Sequence, residues 1–216
     1  MKKNILKPQN SEIFLFSFFI LFVIFISLFF IYLSDKCRGL KNFDYQKIEK
    51  TKTYAILEIE CGEIVIEIFE NLSPKNSERF VSFVNNNEYV NSYFYKVKKN
   101  KFVEAGDLIY GKKNNLNYLK IGTGGSNKIN LKSELSNDYN FIKGSVGMVR
   151  RGKFDTENSQ FFILIDDMPS FNFQYTPIGI VISDLNILKE IKYQNNDGYV
   201  LRPDLILNTR IMNQTF

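Results

Sequence analysis

Apolar and polar residues follow several distinct rhythms along this chain, and each rhythm marks an element. From Ile13 to Leu33 there is no alternation: 21 residues carry no charge and eight are Phe. The only polar side-chain atoms in that run are the hydroxyls of Ser17, Ser27 and Tyr32. At ~1.5 Å per residue, a helix of that length spans a hydrocarbon core of ~30 Å. Glu12 bounds the run on one side; Asp35, Lys36 and Arg38 bound it on the other. It is too long for the apolar region of a cleaved signal peptide, and no small-x-small cleavage site follows. The expectation is an uncleaved, single-pass membrane anchor at 13–33 after a short tail, 1–12. Lys2, Lys3 and Lys7 precede it, and Lys36, Arg38 and Lys41 follow, so charge bias does not choose an orientation. Asn71-Leu72-Ser73 and Asn213-Gln214-Thr215 are glycosylation sequons, but a chain with 24 Asn meets that pattern by chance.

Residues 34–50 are polar and charged and read as a linker. From Thr53 the period becomes two: Ala55, Leu57 and Ile59 face one way, and Tyr54, Ile56, Glu58 and Glu60 the other. Cys61-Gly62 then turns into a second apolar strand, Glu63 to Phe69. Ser73 and Pro74 open a helix as N-cap and first helical residue, with Phe80, Phe83 and Val84 on one face. Asn85-Asn86-Asn87 ends it. Asn91 to Val103 reads as two strand pieces around a lysine-rich turn, and 108–121 as an exposed loop. Gly144 to Val149, Gln160 to Ile165, Gly179 to Ile182 and Leu205 to Ile211 are further strands. Asp184 starts a second helix to about Tyr193, with Leu185, Leu188 and Ile191 on one face. Many short strands with two helices suggest a closed β-barrel with a helix over each end.

Composition narrows the chemistry. The chain has no His, which excludes a Ser-His-Asp triad, a Cys-His pair and any His-ligated metal within it. No metal or cofactor is expected. Gly122-Thr123-Gly124-Gly125 lacks the GK[ST] and the strand–loop–helix context of a phosphate loop. The net charge of +5 reflects a lysine-rich surface, and no clustered Arg with interleaved aromatics marks a nucleic-acid face. Cys37 and Cys61 are too few for a disulfide framework or zinc site; they are either one bridge or two unrelated thiols.

The most specific signal is Asn158-Ser159-Gln160-Phe161-Phe162-Ile163. Together with Pro74 to Phe80, Phe94-Tyr95-Lys96-Val97, Ala105-Gly106-Asp107 before Gly122-Thr123-Gly124-Gly125, Gly144 to Met148, and Tyr175 to Gly179, it resembles the cyclophilin peptidyl-prolyl isomerases. The resemblance runs from about Thr53 to Met212. It implies a closed eight-stranded barrel capped by two α-helices over residues 51–216, and isomerisation of X-Pro bonds in proline-containing proteins. The segment between Asp107 and Gly122 is about nine residues longer than is usual in that family.

The implied chemistry is rotation about an amide whose barrier is ~18–20 kcal/mol. It needs a dry pocket for the proline ring, anchors for the flanking backbone, and a cation beside the prolyl nitrogen as the amide twists. By resemblance, Lys96 stands at the catalytic Arg position, keeping the charge but losing the planar fork. Glu104 stands where the family has Gln and is placed to pair with Lys96. Phe102, Phe162 and Phe171 are the implied pocket, Gln160 the backbone anchor, and Tyr175 takes a His position. Phe161 and Ile163 alternate away from the groove. Lys101 replaces an aromatic wall residue, and Ser170 falls where an indole important for cyclosporin often lies, so weak or no cyclosporin binding is expected. The two functions implied are a weak membrane-anchored isomerase and a silent module that binds a proline-containing partner or scaffolds a membrane complex.

Overall fold

A computed structural model describes residues 10–33, 37, 39–193 and 198–213. The chain divides into two compact units, Met1–Arg38 and Gly39–Phe216. The first contains helix α1, Asn10–Leu33. All its side chains from Ile13 to Phe30 are exposed. Ser27 turns its hydroxyl back to the carbonyl of Val23 at 2.8 Å, so this polar atom is satisfied within the helix. By length and composition α1 is able to cross a bilayer.

The second unit is built on an eight-stranded antiparallel sheet. Its strands are β1 (Tyr54–Ile59), β2 (Gly62–Ile68), β3 (Lys96–Lys98), β4 (Phe102–Ala105), β7 (Ser145–Met148), β8 (Phe161–Leu164), β9 (Pro177–Val181) and β10 (Asn208–Met212). They lie in the order β10-β1-β2-β9-β7-β8-β4-β3. A separate two-residue ribbon joins β5 (Gly111–Lys112) to β6 (Asn115–Leu116) within the segment read as an exposed loop. The inner face of the curled sheet carries Ala55, Leu57, Ile64, Ile66, Val103, Val146, Met148, Phe161 and Ile163, closed by Phe80 and Phe83 of the helix.

The expected closed barrel is corrected: the sheet curls but ends at β10 and β3, which do not pair. The last strand begins at Asn208 rather than Leu205 because the preceding residues bond elsewhere. Val97 N–H reaches Gly198, Val200 N–H reaches Tyr95, Phe94 N–H reaches Asp204, and Ile206 N–H reaches Ser92. An irregular segment, 198–206, thus lies along 91–97 and satisfies that sheet edge without a ladder.

Helix α2 spans Pro74–Asn85, and Asn86 caps it before Asn87 turns left-handed at φ +57°. Ser73 sits at the N-cap but does not cap; its hydroxyl donates to the Pro177 carbonyl instead. The exposed helix amides are met by Glu134, whose carboxylate accepts from Lys75 N at 3.2 Å, Asn76 N at 2.9 Å and Asn76 Nδ2 at 2.8 Å. A carboxylate there also suits the helix dipole. The second α-helix expected from Asp184 is corrected to a 3-10 helix, Leu185–Glu190. Its continuation is lost because the Lys192 amide donates to the Asp204 carboxylate at 2.7 Å and Ile191 is extended.

The segment 39–50, read as linker, packs on the outer face of the sheet. Phe43 and Ile48 cover Tyr54, Ile56 and Val65, the β1 and β2 side chains that point away from the main core. Tyr45 donates its hydroxyl to Glu63, and Arg210 donates to Glu63 at 2.7 Å and to the Tyr45 oxygen at 2.6 Å. Cys37 and Cys61 are both disulfide-bonded, which removes the reading of two unrelated thiols.

Candidate functional site

The candidate groove lies over β3, β4 and β8. Lys96 and Glu104 are direct cross-strand partners of β3 and β4, so their side chains emerge side by side. Lys96 Nζ donates to Glu104 Oε1 at 3.0 Å. Its charge also lies 5.4 Å from the centre of the Phe102 ring and 5.9 Å from that of Tyr199. Lys96 therefore stands at the rim of an apolar cluster, with its side chain 27% exposed.

The pair belongs to a longer chain of hydrogen bonds. Gln160 donates from Nε2 to the Tyr95 hydroxyl oxygen at 2.9 Å and to the Gly122 carbonyl at 2.8 Å. The Tyr95 hydroxyl donates in turn to Glu104 Oε2 at 3.3 Å. Burial, reinforced by the Glu104 charge, pushes the Tyr95 pKa well above its usual value, so the phenol remains a donor. Gly122 holds φ +89°, and a side chain there would crowd Tyr95 and Tyr199.

The apolar cluster beside this pair is mainly aromatic, with Leu164, Val149 and Met168 among its members. Phe162 forms its floor and is 2% exposed. Phe171 lies 5.2 Å from Phe162, 6.0 Å from Phe102 and 4.6 Å from Tyr175 between ring centres. Tyr175 meets Phe162 edge-on at 5.2 Å. Phe141 completes the group, 5.6 Å from Phe162. Beneath the floor is Gly147, the β7 partner of Phe162; any Cβ there would overlap the Phe162 ring.

All seven residues singled out from the sequence, Lys96, Phe102, Glu104, Gln160, Phe162, Phe171 and Tyr175, thus meet in one region. Lys101 is exposed on the β3–β4 turn, and Ser170 is exposed in the 3-10 turn Pro169–Phe171. Three participants were missed: Tyr95, Tyr199 and Phe141. Tyr95 stands in the sequence only as part of the Phe94 to Val97 motif. Tyr199 and Phe141 lie in segments without periodicity and carried no local signal. Among the described residues, no cluster of His, Cys, Asp or Glu suits a metal ion.

Residues 54–211 match the model of a family described as cyclophilin type peptidyl-prolyl cis-trans isomerase/CLD. The chain is 34% identical over 159 residues to a "Probable peptidyl-prolyl cis-trans isomerase" of Brucella abortus, covering 72% of this chain and 81% of that one. It is 31% identical over 159 residues to a peptidyl-prolyl cis-trans isomerase of Helicobacter pylori, covering 72% and 91%. A crystal structure of a Cryptosporidium parvum cyclophilin type isomerase in the presence of the dipeptide Ala-Pro superposes with a TM-score of 0.64 at 21% identity, covering 74% of this chain and 99% of that chain.

Proposed function

The chain belongs to the family of cyclophilin-type peptidyl-prolyl cis-trans isomerases, and on that premise we propose that it isomerises X-Pro bonds in protein substrates from a membrane-anchored position. The observation that carries the proposal is the place of Lys96: a cation at the rim of an aromatic pocket, 5.4 Å from the Phe102 ring centre. The proline ring enters between Phe102, Phe162 and Phe171. Lys96 then stands beside the prolyl nitrogen, where the twisting amide gathers electron density as resonance is lost. Its attraction grows along the reaction coordinate, which is the condition for lowering the barrier. Both Nε2 hydrogens of Gln160 are engaged with Tyr95 and Gly122. Its Oε1 is the atom that takes a substrate backbone N–H.

In this reading residues 1–12 are a tail, 13–33 a single-pass anchor, 34–50 a connection, and 51–216 the catalytic domain. The disulfide-bonded cysteines support the part of this reading that puts the catalytic domain in an oxidising, non-cytosolic compartment.

The test is isomerisation of a proline tetrapeptide by the full-length protein in detergent, followed by a conformer-specific readout. Lys96→Ala should lower kcat/KM at least tenfold. A second reading is favoured by the Lys96–Glu104 bond: the cation is already engaged, and the groove binds proline segments without turnover. Saturable peptide binding with no acceleration by the unmodified chain would establish that second reading.

A further inference from the structure

The loop between Asp107 and Gly122 is not slack. The buried Asp107 carboxylate holds both its ends, accepting from Ile109 N at 3.1 Å and Tyr110 N at 2.9 Å through Oδ1. Through Oδ2 it accepts from Gly122 N at 2.7 Å and Gly124 N at 3.0 Å. Within the loop, Asn115 Nδ2 donates to Ile109 O at 2.7 Å and Asn117 N to Tyr110 O at 3.0 Å. Asn117 then accepts from Leu119 N through its side chain at 3.1 Å and from Ile121 N through its carbonyl at 2.8 Å. Ile121 is turned inward, 6% exposed, as an apolar residue should be. Its neighbour Leu119 is held outward, 97% exposed.

One exposed Leu needs no explanation, but this one has company. Tyr118 is 49% exposed, and its hydroxyl oxygen receives the Arg202 amide at 3.4 Å, which joins this loop to residues 199–202. Tyr199 and Leu201 of that segment are 45% and 63% exposed. Tyr199 in turn stacks on Tyr95 at 6.4 Å and lies within 5.9 Å of Lys96. Tyr118, through Arg202, and Tyr199, through Tyr95 and Lys96, therefore connect the loop to the rim of the groove.

We propose that Tyr118, Leu119, Tyr199 and Leu201 form an apolar ledge that receives side chains of the substrate polypeptide flanking the proline, and so selects extended segments with apolar residues beside the X-Pro bond. The occupant follows from continuity: a chain whose proline fills the pocket and whose backbone passes Lys96 runs onto Tyr199. The extra loop residues build the outer half of the ledge, and their hydrogen bonds fix it before substrate arrives, which limits the ordering cost on binding. This rests on the isomerase reading above.

The test compares two peptides with the full-length protein in nanodiscs. One is Ala-Ala-Pro-Ala; the other is a dodecapeptide with the same core and leucines on both sides. Leu119→Ser with Leu201→Ser should reduce the ratio of kcat/KM for the long peptide to that for the short one about tenfold. Ile129→Ser is the control, since Ile129 is 81% exposed but outside the ledge; it should leave the ratio unchanged. An unchanged ratio in the double variant overturns the ledge. If no peptide is isomerised, the activity falls but the ledge is still read by equilibrium binding. Loss of long-peptide affinity in the double variant then supports it, and no loss overturns it. The chain has no Trp, so Leu119→Trp is a unique reporter. A blue shift on adding the long peptide supports the ledge. Quenching by brominated lipid without a peptide response overturns it in favour of a membrane contact.

Discussion

Lys96 and Glu104 face each other across two strands, so a change at one is felt at the other. An Arg at position 96 would offer two aligned donors where Lys offers a single charged point. Lys96→Arg should raise kcat/KM about tenfold or more, a part of the ~10²–10³ that one preorganised donor contributes elsewhere. Glu104→Gln should raise it further by freeing the cation. The two effects should couple rather than add, because the groups share a hydrogen bond. Measured isomerisation of the four combinations checks this. A folded double variant with no activity would move the defect to the pocket, where Phe171 packs on Phe102, Phe162 and Tyr175. Ser170 sits exposed beside that pocket. Calorimetry should find no sub-micromolar cyclosporin binding to the unmodified chain, and at least a tenfold gain in Ser170→Trp, where an indole restores a large apolar contact.

At the scale of elements, the segment before β1 is held by charge as well as by packing. Burial alone would raise the Glu63 pKa, but hydrogen bonds from Arg210 and Tyr45 outweigh it and hold the carboxyl below its usual value. Tyr45, by burial and by its bond to Glu63, is pushed up to about 12. The signs follow. Glu63 has a depressed folded pKa, so its contribution is present above the ordinary carboxylate range and is lost as pH falls through the folded value. Tyr45 has a raised folded pKa, so its contribution is whole below about pH 10 and is lost as pH rises towards 12. Glu63 is 27% exposed and Arg210 40%, so solvent screening limits the gain. Glu63→Gln should therefore cost no more than ~1 kcal/mol at pH 7. Denaturant titrations at pH 7 and pH 3 should show that difference shrinking in acid. No cost at pH 7 would mean the segment is held by Phe43 and Ile48 packing alone, and an undiminished cost at pH 3 would mean the Glu63 side chain acts through hydrogen bonding rather than through its charge.

At the scale of the molecule, the anchor is a matter of uninterrupted apolar length, and alkaline carbonate should leave the full-length chain in the membrane pellet; release would sink the anchor. The same local character made much of the chain legible in its sequence. The uncharged run at 13–33, the alternation of β1, the Pro74 start of α2 and the Ser159-Gln160-Phe161-Phe162 strand each depend on neighbours a few residues apart. Side chains at period two or 3.6 choose a face before any tertiary contact exists. Tertiary structure decided what depended on distant partners. Glu134, 58 residues from Asn76, took the capping role from Ser73. The Lys192 amide went to Asp204 and ended the second helix as a 3-10 turn. Tyr54 and Ile56, outward by alternation, were covered by Phe43 and Ile48. The sheet stays open where 198–206, in place of a strand, satisfies the edge of 91–97. In each case a buried amide or an exposed apolar face found its partner through space, and no spacing along the chain encodes which partner that is.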